Sequence, residues 1–231
     1  MKLIILAAGT GSRLKPLTIN RPKCLLPLGE TTIIEKIINQ FKKYGVTKVT
    51  IVTGHCAHKI KSIYDKKHKI LYYSKYKKFN NFDTLWSVRK ELTEDSIITF
   101  SDLIIEDRII KKLLNSKYKA TVTIDTSGLR KDTMFISHKK NLLKSIAVTT
   151  KKDATGNFIG IFLIRKIITK TFLNHMSSLL KNSKSDYYVK VLNSMIQNNI
   201  KINTIDIKGK YWREVDTVKE YKLAQKENKL F

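Results

Sequence analysis

The hydrophobic pattern of the chain opens with an alternation of strand-like and helix-like segments. Residues 3–7 form a continuous apolar run that stops at Gly9-Thr10-Gly11, as a buried parallel strand does before a glycine-rich turn. Residues 32–44 then place apolar side chains three and four positions apart, which predicts an amphipathic helix that ends at Gly45. A β-branched run follows at 49–52. This order of segments predicts a parallel α/β sheet.

The alternation continues through the first half of the chain and then changes character. Between 126 and 165 the segments become short and mix polar with apolar residues around three glycines, which predicts antiparallel strands on the far side of the sheet. No internal repeat interrupts the pattern, so we expect a single domain over 1–231. The remaining predicted elements are strands at 70–73, 97–100, 120–124 and 200–207, and helices at 84–92, 107–114, 186–198 and 217–227.

The composition is that of a globular domain with an unusual charge. Of 231 residues, 42% are hydrophobic and 28% are charged, which is enough apolar material for one sizeable core. The net charge of +26 indicates either a polyanionic partner or a general bias toward lysine. The lysine pairs are spread evenly along the chain, which favours the bias. Nucleic acid, an anionic membrane surface and phosphorylated small molecules stay open as partners.

Cysteine usage and targeting signals favour an intracellular setting. Cys24 and Cys56 are too few for a disulfide framework, and the sequence has no Cys-x-x-Cys motif. The apolar run at the start is too short for a signal peptide, and no segment approaches the roughly 20 apolar residues that cross a bilayer. We therefore expect a cytoplasmic protein with reduced thiols.

The glycine-rich turn after the first strand has the chemistry of a phosphate-binding loop. Small residues let the backbone approach a triphosphate, and consecutive N–H groups form an anion-binding nest. Arg13 can bind phosphate oxygens in a fork, and Lys23 can neutralise a further phosphate as a point charge. The turn is neither a Walker loop nor a Gly-x-Gly-x-x-Gly fingerprint, because Leu14 stands where the last glycine belongs. A generic Gly-x-Gly turn is by itself a weak signal.

Three acids form a second group of candidate residues. Asp102 follows the apolar segment 97–100, at the strand end where α/β sheets bind their ligands. Glu214 and Asp216 lie two positions apart, so an extended backbone points both to one face. Mg²⁺ prefers such oxygen ligands and takes one or two carboxylates together with phosphate oxygens. The alternative is structural: Asp102 caps a turn, and Asp216 caps a helix that begins at Thr217.

The flanking residues add a family resemblance to these patterns. Residues 6–28, from Leu6-Ala7-Ala8-Gly9-x-Gly11-Ser12-Arg13-Leu14 to Arg21-Pro22-Lys23-Cys24-Leu25-Leu26-Pro27-Leu28, closely resemble the opening signature of the nucleotidyltransferases that activate sugar phosphates and phosphocholine, and Glu35 fits the same pattern. The resemblance implies a Rossmann-like, mixed but mostly parallel sheet with helices on both faces. It also implies a nucleotide-binding half at 1–125 and an acceptor-binding, closing half at 126–231.

The same resemblance implies roles for individual residues. Arg13 and Lys23 become the catalytic cations, and Asp102 and Asp216 become the ligands of a Mg²⁺ cofactor. Leu103 stands where most relatives carry a further acid, so the number of metal ions stays open. The residues expected to bind the nucleotide are Leu6, Ala7, Ala8, Gly9, Thr10, Gly11, Ser12, Gly54, Asn80, Asn81 and Ser101.

Residues 75–87 distinguish between branches of that family. Sugar-phosphate enzymes carry a Pro-x-Gly-Thr-Ala stretch here, and this chain does not. Its Tyr76-x-x-Phe-Asn80-Asn81-Phe pattern resembles the bacterial phosphocholine cytidylyltransferases instead, as does the late Glu-Val-Asp-Thr-Val-x-x-Tyr. An asparagine side chain suits the reading of a pyrimidine edge, but it suits a helix cap equally well.

The residues of the acceptor pocket are the hardest to predict from the sequence. A quaternary ammonium binds on aromatic faces, so two or three of Trp86, Tyr187, Tyr188 and Trp212 are expected to form a choline cage, with ordinary core packing as the alternative. Asp186 offers a counter-charge or a helix N-terminus, and Glu214 completes the predicted acceptor set. His55 follows the strand end at Gly54 and is interpreted as a loop residue, with a place at the border of the site as the alternative.

These observations predict transfer of CMP from CTP to a small phosphorylated or phosphonate acceptor such as phosphocholine, with release of pyrophosphate. The acceptor oxygen is already anionic, so catalysis needs positioning and charge neutralisation rather than a strong base. One alternative is a sugar-1-phosphate nucleotidyltransferase. Another is a basic nucleic-acid-binding module without catalysis, which the charge motivates and the paired acids oppose. Weak association with anionic membranes is compatible with activity. The oligomeric state stays open.

Overall fold

The computed structural model describes residues 1–78, 80–149, 152–180 and 187–227. Its strands are β1 (Lys2–Ala7), β2 (Pro27–Leu28), β3 (Thr31–Thr32), β4 (Lys48–Thr53), β5 (Lys69–Tyr72), β6 (Ser96–Phe100), β7 (Leu103–Ile105), β8 (Ala120–Asp125), β9 (Met134–Lys139), β10 (Leu142–Ala147), β11 (Gly156–Ile164), β12 (Asn203–Asp206) and β13 (Trp212–Glu214). Its α-helices are α1 (Ile33–Lys43), α2 (Ala57–Tyr64), α3 (Asn81–Ser87), α4 (Asp107–Leu114), α5 (Lys166–Leu179), α6 (Val189–Gln197) and α7 (Val218–Glu227).

Within these described ranges, nine strands form one mixed sheet in the order β5-β4-β1-β6-β11-β8-β12-β10-β9. The first four are mutually parallel, β11 is antiparallel to both of its neighbours, and β12 is parallel to β8. The antiparallel strands predicted between 126 and 165 are β9, β10 and β11, which are confirmed. Two short pairs, β2 with β3 and β7 with β13, lie beside the main sheet.

Both faces of the sheet are buried, and the central strands β1, β6 and β11 are apolar at most positions. In β1, Leu3 and Ile5 belong to one hydrophobic cluster, and Ile4 belongs to the other. The first cluster includes buried residues of α1, α4 and α7, and the second includes those of α3, α5 and α6. The predicted fold class, a mostly parallel sheet with helices on both faces, is therefore confirmed.

Several element bounds differ from the sequence prediction. Helix α4 occupies the predicted residues, whereas the predicted helix at 84–92 is instead α3 followed by a separate 3₁₀ turn at Arg89–Glu91. Helices α2 and α5 were not predicted. Of the helix predicted at 186–198, α6 accounts for Val189–Gln197, and residue 186 lies outside the described residues. The division into a nucleotide half and an acceptor half stays a prediction.

The carboxyl ends of three parallel strands meet at one edge of the sheet. Ala7 is paired in register with Thr53, and Leu6 with Phe100, so the loops after β1, β4 and β6 emerge side by side. In an open α/β sheet this edge is where ligands bind. None of the helices in the described part of the chain combines the length and hydropathy of a membrane span.

Candidate active site

A cavity of about 410 Å³ opens at this edge of the sheet. The predicted site residues in its wall are Leu6, Ala7, Ala8, Gly9, Arg13, Lys23, Asn80, Asn81, Ser101, Asp102, Tyr187, Glu214 and Asp216. The predicted residues Thr10, Gly11, Ser12, Gly54, Trp86 and Trp212 lie outside that wall, and Asp186 lies outside the described residues. The structure thus brings most of the predicted residues into one cavity, including all four charged groups expected to carry the chemistry.

The glycine-rich turn folds back so that its basic residues face the cavity. Gly11 has a left-handed backbone with φ 62°, which an L side chain rarely adopts, and the Thr18 hydroxyl donates to its carbonyl oxygen at 2.7 Å. A side chain at Gly11 would touch Thr18 and Lys23 at 3.2 Å. The turn continues into a 3₁₀ turn that carries Arg13, and a second 3₁₀ turn carries Lys23.

Gly54, at the end of β4, lies behind the turn rather than in the cavity wall. A Cβ atom there would come within 2.5 Å of the Ala8 carbonyl oxygen and 2.6 Å of the Tyr76 ring. Only glycine allows the two loops to approach this closely. The residue therefore supports the nucleotide loop through packing, and a contact of Gly54 with the nucleotide stays a prediction.

The four charged groups form one connected cluster. The Lys23 ammonium donates to Asp102 Oδ2 and, at 2.9 Å, to Asp216 Oδ1. Arg13 Nη2 lies 2.9 Å from the other oxygen of Asp216. Lys23 and Asp216 are each 17% exposed in their side chains, whereas the side chain of Arg13 is 58% exposed. The arrangement is a carboxylate pair with an ammonium between its members and a guanidinium at its outer edge.

Short two-stranded pairing brings the distant acids together. Strand β13 pairs with β7 so that Glu214 lies opposite Leu103, and the Val215 N–H donates to the Asp102 carbonyl oxygen at 3.0 Å. Asp216 is thereby held next to Asp102 although the two residues lie far apart in the sequence.

Asp216 does not act as the helix cap that the sequence allowed. Thr217 Oγ1 accepts from the Glu220 N–H at 3.2 Å, and Glu220 Oε2 accepts from the N–H groups of Thr217 and Asp216 at 2.7 and 2.9 Å. This reciprocal pattern is a capping box that satisfies the start of α7. The carboxylate of Asp216 is therefore not needed to cap α7, and it lines the cavity.

The cluster shifts the pKa of each member in a direction that follows from its surroundings. Burial raises the pKa of Asp102, and the charge of Asp216 adds to that effect, while Lys23 opposes it. Burial also acts to raise the pKa of Asp216, but the charges and hydrogen bonds of Lys23 and Arg13 outweigh it and lower that pKa. For Lys23, burial acts to lower the pKa, and the two carboxylates more than reverse it.

One oxygen of this cluster has no partner. Asp102 Oδ1 is buried and accepts no hydrogen bond among the described residues. Buried polar atoms without partners are rare and costly, and they mark places where an ion or ligand binds. No group of three or more metal-binding side chains is preformed in the described residues. Two carboxylates with a free oxygen nevertheless fit Mg²⁺, which completes its shell with water and phosphate oxygens.

Asn80 and Asn81 line the cavity and also hold the local structure. Asn80 Oδ1 accepts from the Asn81 N–H at 2.9 Å and caps α3, as the structural alternative predicted. Asn81 Oδ1 accepts from the Tyr188 N–H at 2.8 Å and so connects α3 to the segment that carries Tyr187. With both oxygens engaged, the amide N–H groups are the polar atoms left for a ligand. Base recognition by this pair stays a prediction.

The acceptor side of the cavity differs from the predicted aromatic cage. Tyr187 and Glu214 lie in the wall as predicted, and burial together with the charges of Asp102 and Asp216 raises the pKa of Glu214 well above its usual range. Gly160, at φ 79°, has no room for a side chain, because a Cβ atom added there would lie 2.8 Å from the Phe100 ring. The wall residues that sequence reasoning missed are Cys24, Tyr76, Thr84, Phe100, Asp132, Thr133, Met134 and Val148.

The two tryptophans do not reach the cavity. Trp212 is 1% exposed, and its Nε1 donates to Asp125 Oδ2 at 2.7 Å, so it belongs to the protein core. Trp86 packs under the guanidinium of Arg89, whose Cζ lies 4.3 Å from the ring centroid. Tyr188 is fully buried as well and lies outside the cavity wall. The structure corrects the prediction that these three residues take part in an ammonium cage.

Asp125 is the centre of the network that fixes Trp212. Its fully buried carboxylate also accepts from the N–H groups of Ser127 and Gly209 at 3.1 and 3.0 Å. Burial acts to raise its pKa, but these hydrogen bonds outweigh burial and lower it. We expect Asp125→Ala to reduce the free energy of unfolding by about 3 kcal/mol, because the buried indole N–H of Trp212 and two partly buried backbone N–H groups lose their acceptor.

Urea unfolding near pH 7 measures this loss, with Asp153→Ala at an exposed position as the control. A depressed carboxyl pKa stabilises the fold above the unfolded pKa of about 3.9 and loses that effect as the pH falls through the folded pKa. The difference in the free energy of unfolding between Asp125→Ala and the wild type should therefore become smaller at acidic pH. A loss no larger than that of Asp153→Ala contradicts the role of Asp125.

Comparison with known proteins agrees with this geometry. Residues 2–136 match the family model described as nucleotidyl transferase. The chain is 26% identical over 244 residues to the CTP:phosphoglutamine cytidylyltransferase of Campylobacter jejuni, an alignment that covers 94% of this chain and 96% of the relative. It is 25% identical over 227 residues to the choline-phosphate cytidylyltransferase of Streptococcus pneumoniae, with 96% of both chains covered.

The fold has solved counterparts as well. The structure of a CTP:phosphocholine cytidylyltransferase from Streptococcus pneumoniae superposes with a TM-score of 0.80 at 21% identity, and the alignment covers 97% of each chain. At this identity the likeness shows the fold and not the substrate. Because the family model spans more than half of the 231 residues, the chain belongs to the nucleotidyl transferase family and is a nucleotidyltransferase.

Proposed function

We propose that this chain is a Mg²⁺-dependent cytidylyltransferase that transfers CMP from CTP to a small phosphorylated acceptor with a cationic head group, such as phosphocholine. The observation that carries the proposal is the cluster of Lys23, Arg13, Asp102 and Asp216 beside the glycine-rich turn. The choice of cytosine is supported by two relatives that are cytidylyltransferases and align over nearly their whole lengths.

The proposed reaction is an in-line displacement at the α-phosphorus. A phosphate oxygen of the acceptor forms a bond to that phosphorus, the bond from the α-phosphorus to the bridging oxygen breaks, and pyrophosphate leaves with its electron pair. Arg13 and Lys23 neutralise the charge that builds on the leaving group, in a site where fixed charges need no reorganisation. Asp102 and Asp216 would hold Mg²⁺, which when bound supplies further neutralisation of phosphate oxygens.

The charges of the cavity wall support a cationic acceptor. Among the described residues of the wall, Arg13 and Lys23 are the cations, and both are paired with Asp102 and Asp216. Glu214 and Asp132, in the part of the wall contributed by the second half of the chain, form no ion pair with a cation of the described residues. An ammonium group would lie next to these acids and the neighbouring aromatic wall residues, and its charge would favour the ionised form of Glu214 against the burial that raises its pKa, whereas a neutral sugar would supply no such charge.

The test crosses nucleotides with acceptors. CTP, UTP, GTP, ATP and dTTP are each incubated with Mg²⁺ and phosphocholine, phosphoethanolamine, 2-aminoethylphosphonate, phosphoglutamine or glucose 1-phosphate, and pyrophosphate release is measured. We expect release with CTP and an amino-alcohol phosphate. Preferred turnover of UTP or dTTP with the sugar phosphate would contradict the proposed substrates and leave the fold untouched. The absence of pyrophosphate release in every combination, together with salt-sensitive nucleic-acid binding, would support the binding-module alternative.

The role of acceptor charge has a matched chemical control. The phosphate monoester of 3,3-dimethylbutanol has the shape of phosphocholine but carries carbon in place of the ammonium nitrogen. We expect the wild type to prefer phosphocholine over this neutral analogue by roughly 10-fold or more in kcat/KM, the scale of a cation–π and charge contact of about 2 kcal/mol. Glu214→Gln should remove most of that preference. An equal preference in the variant would contradict the assignment of Glu214.

A further inference from the structure

The loop that carries both catalytic cations has a buried anchor at its middle. The chain leaves the sheet after Gly9, and residues 15–17 and 19–21 are exposed on its outward excursion. Thr18, between these segments, is 1% exposed. Arg13 precedes Thr18 and Lys23 follows it, so the position of this anchor affects both cations.

His55 bonds to this loop on both sides of Arg13. Its Nε2 lies 2.8 Å from the carbonyl oxygen of Thr18, and because a carbonyl only accepts, Nε2 carries the hydrogen and donates. Its backbone N–H donates to the Ala8 carbonyl oxygen at 3.1 Å. Thr18 in turn donates from its hydroxyl to the Gly11 carbonyl oxygen at 2.7 Å. The histidine, Thr18 and the glycine-rich turn thus form one continuous chain of hydrogen bonds.

The backbone around His55 is shaped to make these contacts. Gly54 allows the approach to Ala8, as described above, and Cys56 adopts a left-handed conformation with φ 48°. Such a conformation costs on the order of 1 kcal/mol in a non-glycine residue and persists only where the surroundings enforce it. The His55 ring also lies 6.5 Å from the ring of Tyr76, a residue of the cavity wall, and the Cys56 sulfur lies 3.5 Å from Nε2.

We infer that His55 is a positioning residue for the phosphate-binding end of the site. It does not line the cavity, and it acts by fixing the loop that presents Arg13 and Lys23. The kinetic test of this inference rests on the proposed function, because it measures nucleotidyl transfer. Its structural content, a side-chain N–H that holds Thr18 in place, is independent of any substrate.

Two substitutions separate the hydrogen bond from the bulk of the ring. Glutamine places an amide nitrogen the same number of bonds from Cβ as Nε2, so His55→Gln retains the donor to Thr18. Asparagine is one bond shorter and cannot reach as far, so His55→Asn loses it. His58→Asn is the control, because His58 is an exposed histidine three positions along the same segment.

We expect His55→Asn to lower kcat with CTP by roughly 10- to 100-fold, the cost of misplacing catalytic groups by about an ångström. The KM for CTP should rise while the KM for the acceptor stays within about twofold, a split that general loss of structure does not produce. His55→Gln should recover most of the loss, and His58→Asn should match the wild type. Equal losses in the glutamine and asparagine variants would overturn the inference, as would wild-type kinetics in His55→Asn.

Amide hydrogen exchange tests the same contact without activity. The N–H groups of Leu14, Leu17 and Ile19 are bonded within the loop to Gly11, Leu14 and Pro16. We expect them to exchange about tenfold faster or more in His55→Asn, and at the wild-type rate in His55→Gln and His58→Asn. Unchanged exchange in His55→Asn overturns the inference. If the wild type is inactive with every nucleotide, the proposed function fails, whereas exchange still tests His55.

Discussion

Lys23→Met will abolish most of the activity and destabilise the protein at the same time. The ammonium is the cation that bonds to both carboxylates of the cluster, and with Arg13 it is one of the two groups proposed to neutralise the leaving pyrophosphate. Loss of one such donor costs roughly 10²–10³-fold in kcat. The free energy of unfolding should fall by about 3 kcal/mol, because two carboxylates are left close together without their counter-ion.

The stability part of this result has a defined pH range and a control. The pKa of Lys23 is raised, so its contribution is complete below the pKa of a free lysine, about 10.4, and is lost only above it. Urea unfolding near pH 7 thus measures the whole effect. Lys43→Met, which removes an exposed ion pair with Asp107, should cost less than about 1 kcal/mol and leave kcat unchanged. Equal stability losses in the two variants would contradict the role assigned to Lys23.

Added Mg²⁺ should restore part of the stability that Lys23→Met loses. In that variant Asp102 and Asp216 keep their geometry, and a divalent cation would neutralise them in place of the ammonium. The readout is the shift of the thermal midpoint between chelator and Mg²⁺, which we expect to be larger in Lys23→Met than in the wild type. A shift of the same size in both proteins would contradict metal binding by this carboxylate pair.

Asp102→Asn will separate activity from stability. We expect kcat to fall by roughly 10³-fold, because the amide offers a metal a weaker ligand and lacks the negative charge. The free energy of unfolding without Mg²⁺ should change by less than about 1 kcal/mol or should rise. The reason is that burial raises the pKa of Asp102, so that ionising it costs more in the folded protein than in the unfolded chain, and asparagine removes that cost.

Asp216→Asn is the matched comparison, and its stability should change in the opposite sense. Its pKa is lowered because Lys23 and Arg13 outweigh burial, so its charge stabilises the fold above the unfolded pKa and loses that effect as the pH falls. Denaturant unfolding of both variants near pH 7, with kcat measured on the same preparations, checks the pair. The account is contradicted if Asp102→Asn is destabilised as much as Asp216→Asn.

The charged centre of the site was predictable because short segments of the sequence carry its residues. Residues 6–28 carry the turn and both cations, and the acids follow recognisable strands. Apolar runs likewise predicted the central strands, since both faces of the sheet are buried. The local sequence pattern did not predict the pairing of β7 with β13, which brings Asp216 close to Asp102.

The acceptor side was less predictable because it depends on long-range packing. Trp212 has the residue type of an ammonium cage, yet the buried carboxylate of Asp125, distant in sequence, holds it in the core. Helix α5 was missed because β11 ends only two residues before it, so the apolar pattern contains no breaker between them. Asn80 caps α3, which therefore begins at Asn81, three residues before the predicted start, and this explains the error in the bounds of that helix.

The most direct test of nucleotidyl transfer is a ³¹P NMR time course of CTP, phosphocholine, Mg²⁺ and the protein. Attack at the α-phosphorus predicts equal growth of pyrophosphate and of a new pyrophosphate diester, both dependent on the acceptor and both absent with Asp102→Asn. Growth of orthophosphate and CDP instead would show attack at the γ-phosphorus and contradict the central claim.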